Sequence, residues 1–279
     1  SRHHRRQARR ETMLELLEQL FRQVRSYAQS ERYDRQQVYQ ESPRHTTMQF
    51  DRDAEDMIIS GLVESGIGFE VTTEERPTFS TAPDPQYRIV IDPIDGSQNM
   101  SRGLMTAAIA LAVLPIDAPV LPENVQWALV GELFSGAVYQ AAQGNGAFRN
   151  GRRCQVSTVK HMKDSLVGLN LDGRDHQALR ALLLEKPSFG SIRRTGSAAI
   201  DSVYVASGTY DAYIDVGEVV TGESFLASLS IVLEAGGIVS DQEGKPLQPI
   251  KNLTDGYSIV VVGTKELHHE ILTKLHTSK

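Results

Sequence analysis

Cysteine is nearly missing from this chain. Cys154 stands alone among 279 residues, so no intrachain disulfide can form. That usage fits a reducing, cytoplasmic setting. Cys154 ends the polar run Gly151-Arg152-Arg153-Cys154 with no histidine partner indicated nearby. It therefore reads as a structural or incidental thiol rather than a nucleophile. No apolar run approaches the roughly 20 residues a membrane span needs, which argues against a membrane protein. An excess of positive charge is also lacking. Lys and Arg number 29 against 35 Asp and Glu, a net charge of −6. No broad basic surface is implied, so nucleic acid is not the expected partner. No internal repeat is visible. What remains is ordinary for a globular protein, with 40% hydrophobic and 23% charged residues. The length suffices for one large domain or two closely packed lobes.

Along the chain, helical and strand periodicities alternate. Ser1 to Arg10 is basic and polar and reads as a disordered arm or a remnant of an added segment. Met13, Leu16, Leu17, Leu20, Phe21, Val24 and Tyr27 recur at helical spacing and predict an amphipathic helix from about Arg9 to Gln29. The polar, aperiodic stretch 30–47 predicts a loop, with a lid as one role. Asp51 is a plausible N-cap for a second helix that buries Ala54, Met57, Ile58, Leu62 and Val63. Phe69 to Thr73 predicts a strand leading into Glu74-Glu75. Ala107 to Leu114 predicts a buried strand. After Gln155 strands and helices alternate, ending in a helix from Thr264 to His276.

The most informative stretch is Ile89-Val-Ile-Asp-Pro-Ile-Asp-Gly-Ser-Gln-Asn-Met100. Its β-branched start predicts a strand, and Pro93, lacking an N–H, is expected to end it at Asp92. Asp92 and Asp95 would then sit on the turn that follows. The N–H groups of Gly96 and Ser97 are placed to meet an anion. Two carboxylates beside an anion-binding turn suit Mg²⁺ held against a phosphate. Taken alone, the same residues also make an ordinary polar turn.

This stretch resembles the signature of the inositol monophosphatase/fructose-1,6-bisphosphatase superfamily, Asp-Pro-(Ile/Leu)-Asp-Gly-(Thr/Ser)-x-Asn. Further similar pieces are Glu74-Glu75, the pattern around Gly144-Asn145-Gly146, Gly196-Ser197-Ala198-Ala199 and Glu234-Ala235-Gly236-Gly237. Asp51 and Glu55 match a four-residue Asp/Glu spacing found in the superfamily. The resemblance implies an α/β (α+β) fold, a layered α/β/α/β/α sandwich. It divides the chain into an N-terminal metal-binding α+β subdomain over 11–155 and a C-terminal α/β subdomain over 156–279, after the arm at 1–10. It also implies a homodimer.

The resemblance further implies a Mg²⁺-dependent (or Mn²⁺-dependent) phosphomonoesterase acting on an inositol or sugar phosphate, such as inositol monophosphate or fructose 1,6-bisphosphate. Glu74, Asp92, Asp95 and the Ile94 carbonyl would hold metal. Metal-bound water would attack phosphorus, helped by Glu74, Asp95 and Ser97 as catalytic residues. Gly96, Ser97, Gly196, Ser197, Ala198 and Asp215 would meet the substrate. One position breaks the pattern. The superfamily has a metal-binding Asp ten residues before the Glu of Glu-Ala-Gly-Gly, and here that position is Ser224, preceded by Glu223. Glu223 is the candidate substitute ligand. The alternative is a weakly active or inactive relative that binds a phosphorylated ligand or a partner protein.

Overall fold

The structure, a computed structural model, describes residues 2–43 and 45–277, with side chains from Thr12 onward. The first half runs α1 (Arg2–Ser30), β1 (Val38–Glu41), β2 (Thr46–Met48), α2 (Gln49–Glu64), β3 (Phe69–Thr73), β4 (Phe79–Ser80), β5 (Tyr87–Asp95), α3 (Ser97–Ser101), β6 (Ala108–Pro115), β7 (Trp127–Glu132), β8 (Val138–Ala142), β9 (Ala147–Arg149) and β10 (Arg152–Arg153). The second half runs β11 (Leu166–Leu169), α4 (His176–Leu184), β12 (Ser191–Arg193), α5 (Ala198–Ala206), β13 (Ala212–Thr221), α6 (Gly222–Glu234), β14 (Ile238–Ser240), β15 (Gly256–Val262) and α7 (Lys265–Thr277).

Among the described residues, the first half forms an eight-stranded sheet ordered β10-β9-β8-β7-β6-β5-β3-β4. Only β3 and β5 are parallel neighbours in it. The second half forms a five-stranded sheet ordered β12-β11-β13-β15-β14. Alternation along the strands sorts the apolar residues into separate cores. On β6, Ile109, Leu111 and Val113 face α1 and α2. Ala108, Ala110 and Ala112 face the other way, toward α5 and α6. The small alanines let those two helices lie close between the sheets. Val260 and Val262 of β15 turn to α4 and α7 on the far face of the second sheet. The result is the five-layer α/β/α/β/α sandwich. A fully buried Leu, Ile or Phe contributes roughly 1.5–3 kcal/mol, so the central layer binds both halves firmly. No helix among the described residues is long and apolar enough to cross a membrane.

Four local expectations are corrected. The helix α1 begins at Arg2, so residues 2–10 extend it rather than forming an arm. The stretch 30–47 is not a simple loop, because Val38–Glu41 pairs antiparallel with Thr46–Met48. Asp51 is not the N-cap of α2. It lies inside the first turn, where its Oδ2 accepts the Met48 N–H at 2.8 Å. The strand through Asp92 does not end at Pro93 but continues to Asp95. Pro93 is tolerated because the pairing with β6 is irregular at that point and no ladder donor is required there.

The Glu-Ala-Gly-Gly element has a structural task. Glu234, at the end of α6, accepts the Gly144 N–H on Oε1 and the Gly146 N–H on Oε2, both at 2.9 Å. It clamps the turn between β8 and β9 to the central helix. Glu234→Ala is expected to lower stability by about 1.5–3 kcal/mol, the range for hydrogen bonds to a charged group. Urea denaturation would show this as a lower midpoint at unchanged slope, and an unaltered midpoint would contradict the clamp.

Candidate active site

The site begins with an irregularity in β5. Asp92 pairs with Ala110 and Asp95 with Ala108, so three steps on β5 oppose two on β6. In a regular strand, residues three apart face opposite sides. The extra residue restores them to one side, which is what a bulge does. Both carboxylates therefore line the same cleft, which measures about 670 Å³. Gly96 follows with φ +109°, in the left-handed region, and a Cβ there would lie 2.8 Å from the Thr106 carbonyl oxygen. Only glycine makes this turn without strain. Ser97 then opens α3, whose first N–H groups have no helical acceptor. Asn99 ties the turn across the molecule, donating its Nδ2 to the carbonyls of Thr106 and Thr195, both at 2.9 Å.

Glu74, Asp92, Ile94, Asp95, Gly96, Ser97, Gly196, Glu223 and Ser224 all line this cleft. They come from the end of β3, the β5 bulge, the approach to α5 and the start of α6. Ser197, Ala198 and Asp215 do not line it. Ser197 is fully buried, caps α5, and donates its hydroxyl to Asp95 Oδ2 at 2.6 Å. The same oxygen accepts the Ala199 N–H at 2.7 Å. Ser197 thus orients Asp95 from behind. Asp215 is fully buried and wholly engaged by its own chain. Arg174 grips it through Nε at 2.7 Å and a terminal nitrogen at 2.9 Å, and Tyr213 and Asn170 also donate to it. A carboxylate without solvent needs such partners.

The structure brings two further residues, Asp51 and His45, into the cleft. Asp51 Oδ1 accepts the Ser97 hydroxyl at 2.5 Å, which joins α2 to the start of α3. The four-residue spacing of Asp51 and Glu55 was a signal for α2, but their roles divide. Glu55 is fully buried and points to Arg76, 3.0 Å from its terminal nitrogen, so it anchors the segment just after Glu74-Glu75. His45 reaches the cleft on the β1–β2 turn, and nothing in the sequence around it signals that placement.

Electrostatics sets the character of the cleft. Among its described lining residues there is no Lys or Arg, and His45 is the one basic side chain. Burial raises the Asp92 carboxyl well above its ordinary range, and the neighbouring charges of Asp95, Glu223 and Glu74 raise it further. Burial also raises Asp95, against the hydrogen bonds from Ser197 and Ala199. Glu223 is raised well above its usual value by burial and then by Glu74 beside it. Its Oε1 accepts the Thr221 hydroxyl at 2.5 Å, while its Oε2 is buried with no partner. Burial pushes Asp51 up to about 7, with the Ser97 and Met48 hydrogen bonds opposing.

Carboxylates crowded this way, one oxygen unpartnered, suit divalent cations with oxygen ligands. The chain's residues therefore fit such ions. Ser224, standing where an Asp was expected, donates its hydroxyl to Asp92 Oδ2 at 3.2 Å. The acidic group on that side of the cleft is Glu223.

Known proteins share this arrangement of elements. An inositol-1-monophosphatase of Mesorhizobium japonicum is 32% identical over 218 residues, covering 75% of this chain and 76% of its own length. A fructose-1,6-bisphosphatase of Pyrococcus furiosus is 29% identical over 225 residues, 81% of this chain and 82% of its own. A solved structure described as an inositol monophosphatase–fructose 1,6-bisphosphatase superposes with a TM-score of 0.79 at 26% identity. That match covers 94% of this chain and 98% of the other. The profile of the inositol monophosphatase family matches residues 4–279, so the chain belongs to the inositol monophosphatase family.

Proposed function

We propose that the cleft hydrolyses a phosphate monoester of an inositol or another sugar, using Mg²⁺ or Mn²⁺. The carrying observation is the convergence of Asp92, Asp95, Glu223 and Glu74 in one cleft whose described lining residues include no Lys or Arg. The two relatives named for inositol-1-monophosphate and fructose-1,6-bisphosphate support the substrate class. Glu74, Asp92, Asp95, the Ile94 carbonyl and Glu223 would hold the cations. Bound there, such ions neutralise phosphate charge and make water more acidic.

The chain's own residues supply the remaining steps. Ser97 gives its hydroxyl proton to a hydrogen bond with Asp51 and so presents a lone pair to the cleft. It accepts a proton from the attacking water as its own proton passes to Asp51. A base with a pKa near 7 is well matched to that transfer at neutral pH. The water oxygen bonds to phosphorus, the ester P–O bond breaks, and the departing alkoxide takes a proton from solvent. The N–H groups of Gly96 and Ser97 meet phosphate oxygens. Gly196 borders the leaving alcohol. Ser197 acts through Asp95 and does not itself touch substrate. The described cleft lining includes no cysteine or lysine, so direct attack by water is favoured over a covalent intermediate on either residue.

The hydroxyl of Ser224, in place of a carboxylate, supports a second reading: a poorly active relative that retains ligand binding. Phosphate release from a panel of inositol and sugar phosphates separates the two. Turnover in Mg²⁺ that stops in chelator supports hydrolysis, whereas binding without turnover on any member supports the second reading.

Asp51→Asn is expected to lower turnover by about 10²–10⁴-fold, the usual worth of general-base help, while the fold survives. In the wild type, the rate should fall with decreasing pH below an apparent pKa at or below about 7, and the variant should lose that limb. A variant with normal rate and an unchanged pH profile would contradict the Ser97–Asp51 relay.

The raised carboxyls also fix how stability depends on pH. A carboxyl whose folded pKa lies above its unfolded value binds its proton more tightly when folded. Its contribution is complete below the unfolded pKa and is lost as pH rises through the folded one. Asp51, raised from 3.8 to about 7, behaves this way, and Asp92, Asp95 and Glu223 share the direction. His45, raised to about 9 chiefly by its hydrogen bond to Glu75, adds a contribution lost between pH 6.5 and 9. Metal-stripped protein should therefore lose thermal stability from pH 5 to 9, and Mg²⁺ should remove most of that loss. Equal slopes with and without Mg²⁺ would contradict the cation assignment.

A further inference from the structure

We infer a second cation site in the same cleft, formed by His45, Glu75 and the shared Glu74 and suited to a transition-metal dication such as Zn²⁺. One ligand atom from each residue lies within 4.8 Å of the others. His45 belongs to the turn between β1 and β2, while Glu74 and Glu75 follow the end of β3. The three meet only because the hairpin folds over that strand end.

The arrangement has the features of a built site. His45 Nε2 lies 2.8 Å from Glu75 Oε1. The Thr47 hydroxyl donates to the other Glu75 oxygen, which leaves Oε1 turned toward the imidazole. Such an outer partner orients a ligand carboxylate. Glu74 also neighbours buried Glu223, whose Oε2 has no partner. Glu74 thus adjoins two groups of donors. The inner group is all oxygen, as a hard ion prefers. The outer group has a nitrogen. Imidazole beside carboxylates favours Zn²⁺, and less strongly Mn²⁺ or Co²⁺, over Mg²⁺. Zn–N and Zn–O bonds of about 2.0–2.2 Å put tetrahedral ligand atoms roughly 3.3–3.5 Å apart, within a small shift of the spacing seen.

An ion here would displace the proton that His45 and Glu75 share and would fasten the hairpin across the cleft. Glu74 is the one link between this site and the catalytic reading above.

The test is calorimetric titration of Zn²⁺ into the metal-stripped full chain held in saturating Mg²⁺. Wild type is compared with His45→Gln, Glu75→Gln and Glu223→Gln. Zinc bound at other histidines contributes equally to all four and cancels. The expected result is a site weakened at least about ten-fold in His45→Gln and Glu75→Gln and retained in Glu223→Gln. Amide exchange in Val38–Met48 should slow with Zn²⁺ in the wild type and not in His45→Gln. Binding by His45→Gln equal to wild type would overturn the site. A loss in Glu223→Gln as large as in His45→Gln would overturn its standing as a second site. No substrate enters the measurement, so its outcome is independent of whether the cleft hydrolyses anything.

Discussion

Everything at this site follows from negative charge crowded where water is scarce. Asp92 and Asp95 on β5 meet Glu223 from the start of α6, burial raises all three, and the neighbouring carboxylates raise Asp92 and Glu223 further. A fold selected for stability alone would replace such a cluster with apolar side chains. Its presence is intelligible if cations complete it. The local backbone serves the same end. The bulge at Pro93 turns two aspartates to one side, and the left-handed turn at Gly96 releases the chain into α3.

The layers hold these pieces at fixed distance. The alanine face of β6 admits α6 against the first sheet, and α6 begins with Glu223 and Ser224. The helix α2 is anchored twice, through Asp51 to Ser97 and through Glu55 to Arg76. Those anchors fix the start of α3 and the chain just beyond Glu74-Glu75. At the far end of α6, Glu234 holds the β8–β9 turn. Both halves of the chain therefore contribute to one rigid frame, and the cleft lies where their edges meet.

Much of this was legible in the sequence because it depends on local pattern. The alternation of β5 and β6, the helical spacing in α1, and the Asp-Pro-Ile-Asp-Gly-Ser run all report on their own neighbourhoods. Reading Pro93 as a strand end failed because a missing N–H matters only where the partner strand needs a donor, and pairing is not written in one strand. Asp215 looked free to meet a substrate. Its capture by Arg174, 41 residues away, depends on tertiary packing. The same holds for Asp51 and Ser97, 46 residues apart, and for His45, which no motif marks. The Ser224 irregularity was visible. That Glu223 turns into the cleft while Ser224 bonds Asp92 required coordinates.

The central claim is that these carboxylates are a cation site in which Glu223 replaces the aspartate expected at Ser224. Anomalous scattering from crystals soaked in Mn²⁺ tests it most directly. The account predicts ion density within coordination distance of Asp92 and Asp95, with a Glu223 oxygen among the ligands. Density bound by Asp92 and Asp95 with Glu223 turned away, or no ion in the cleft at all, would contradict it.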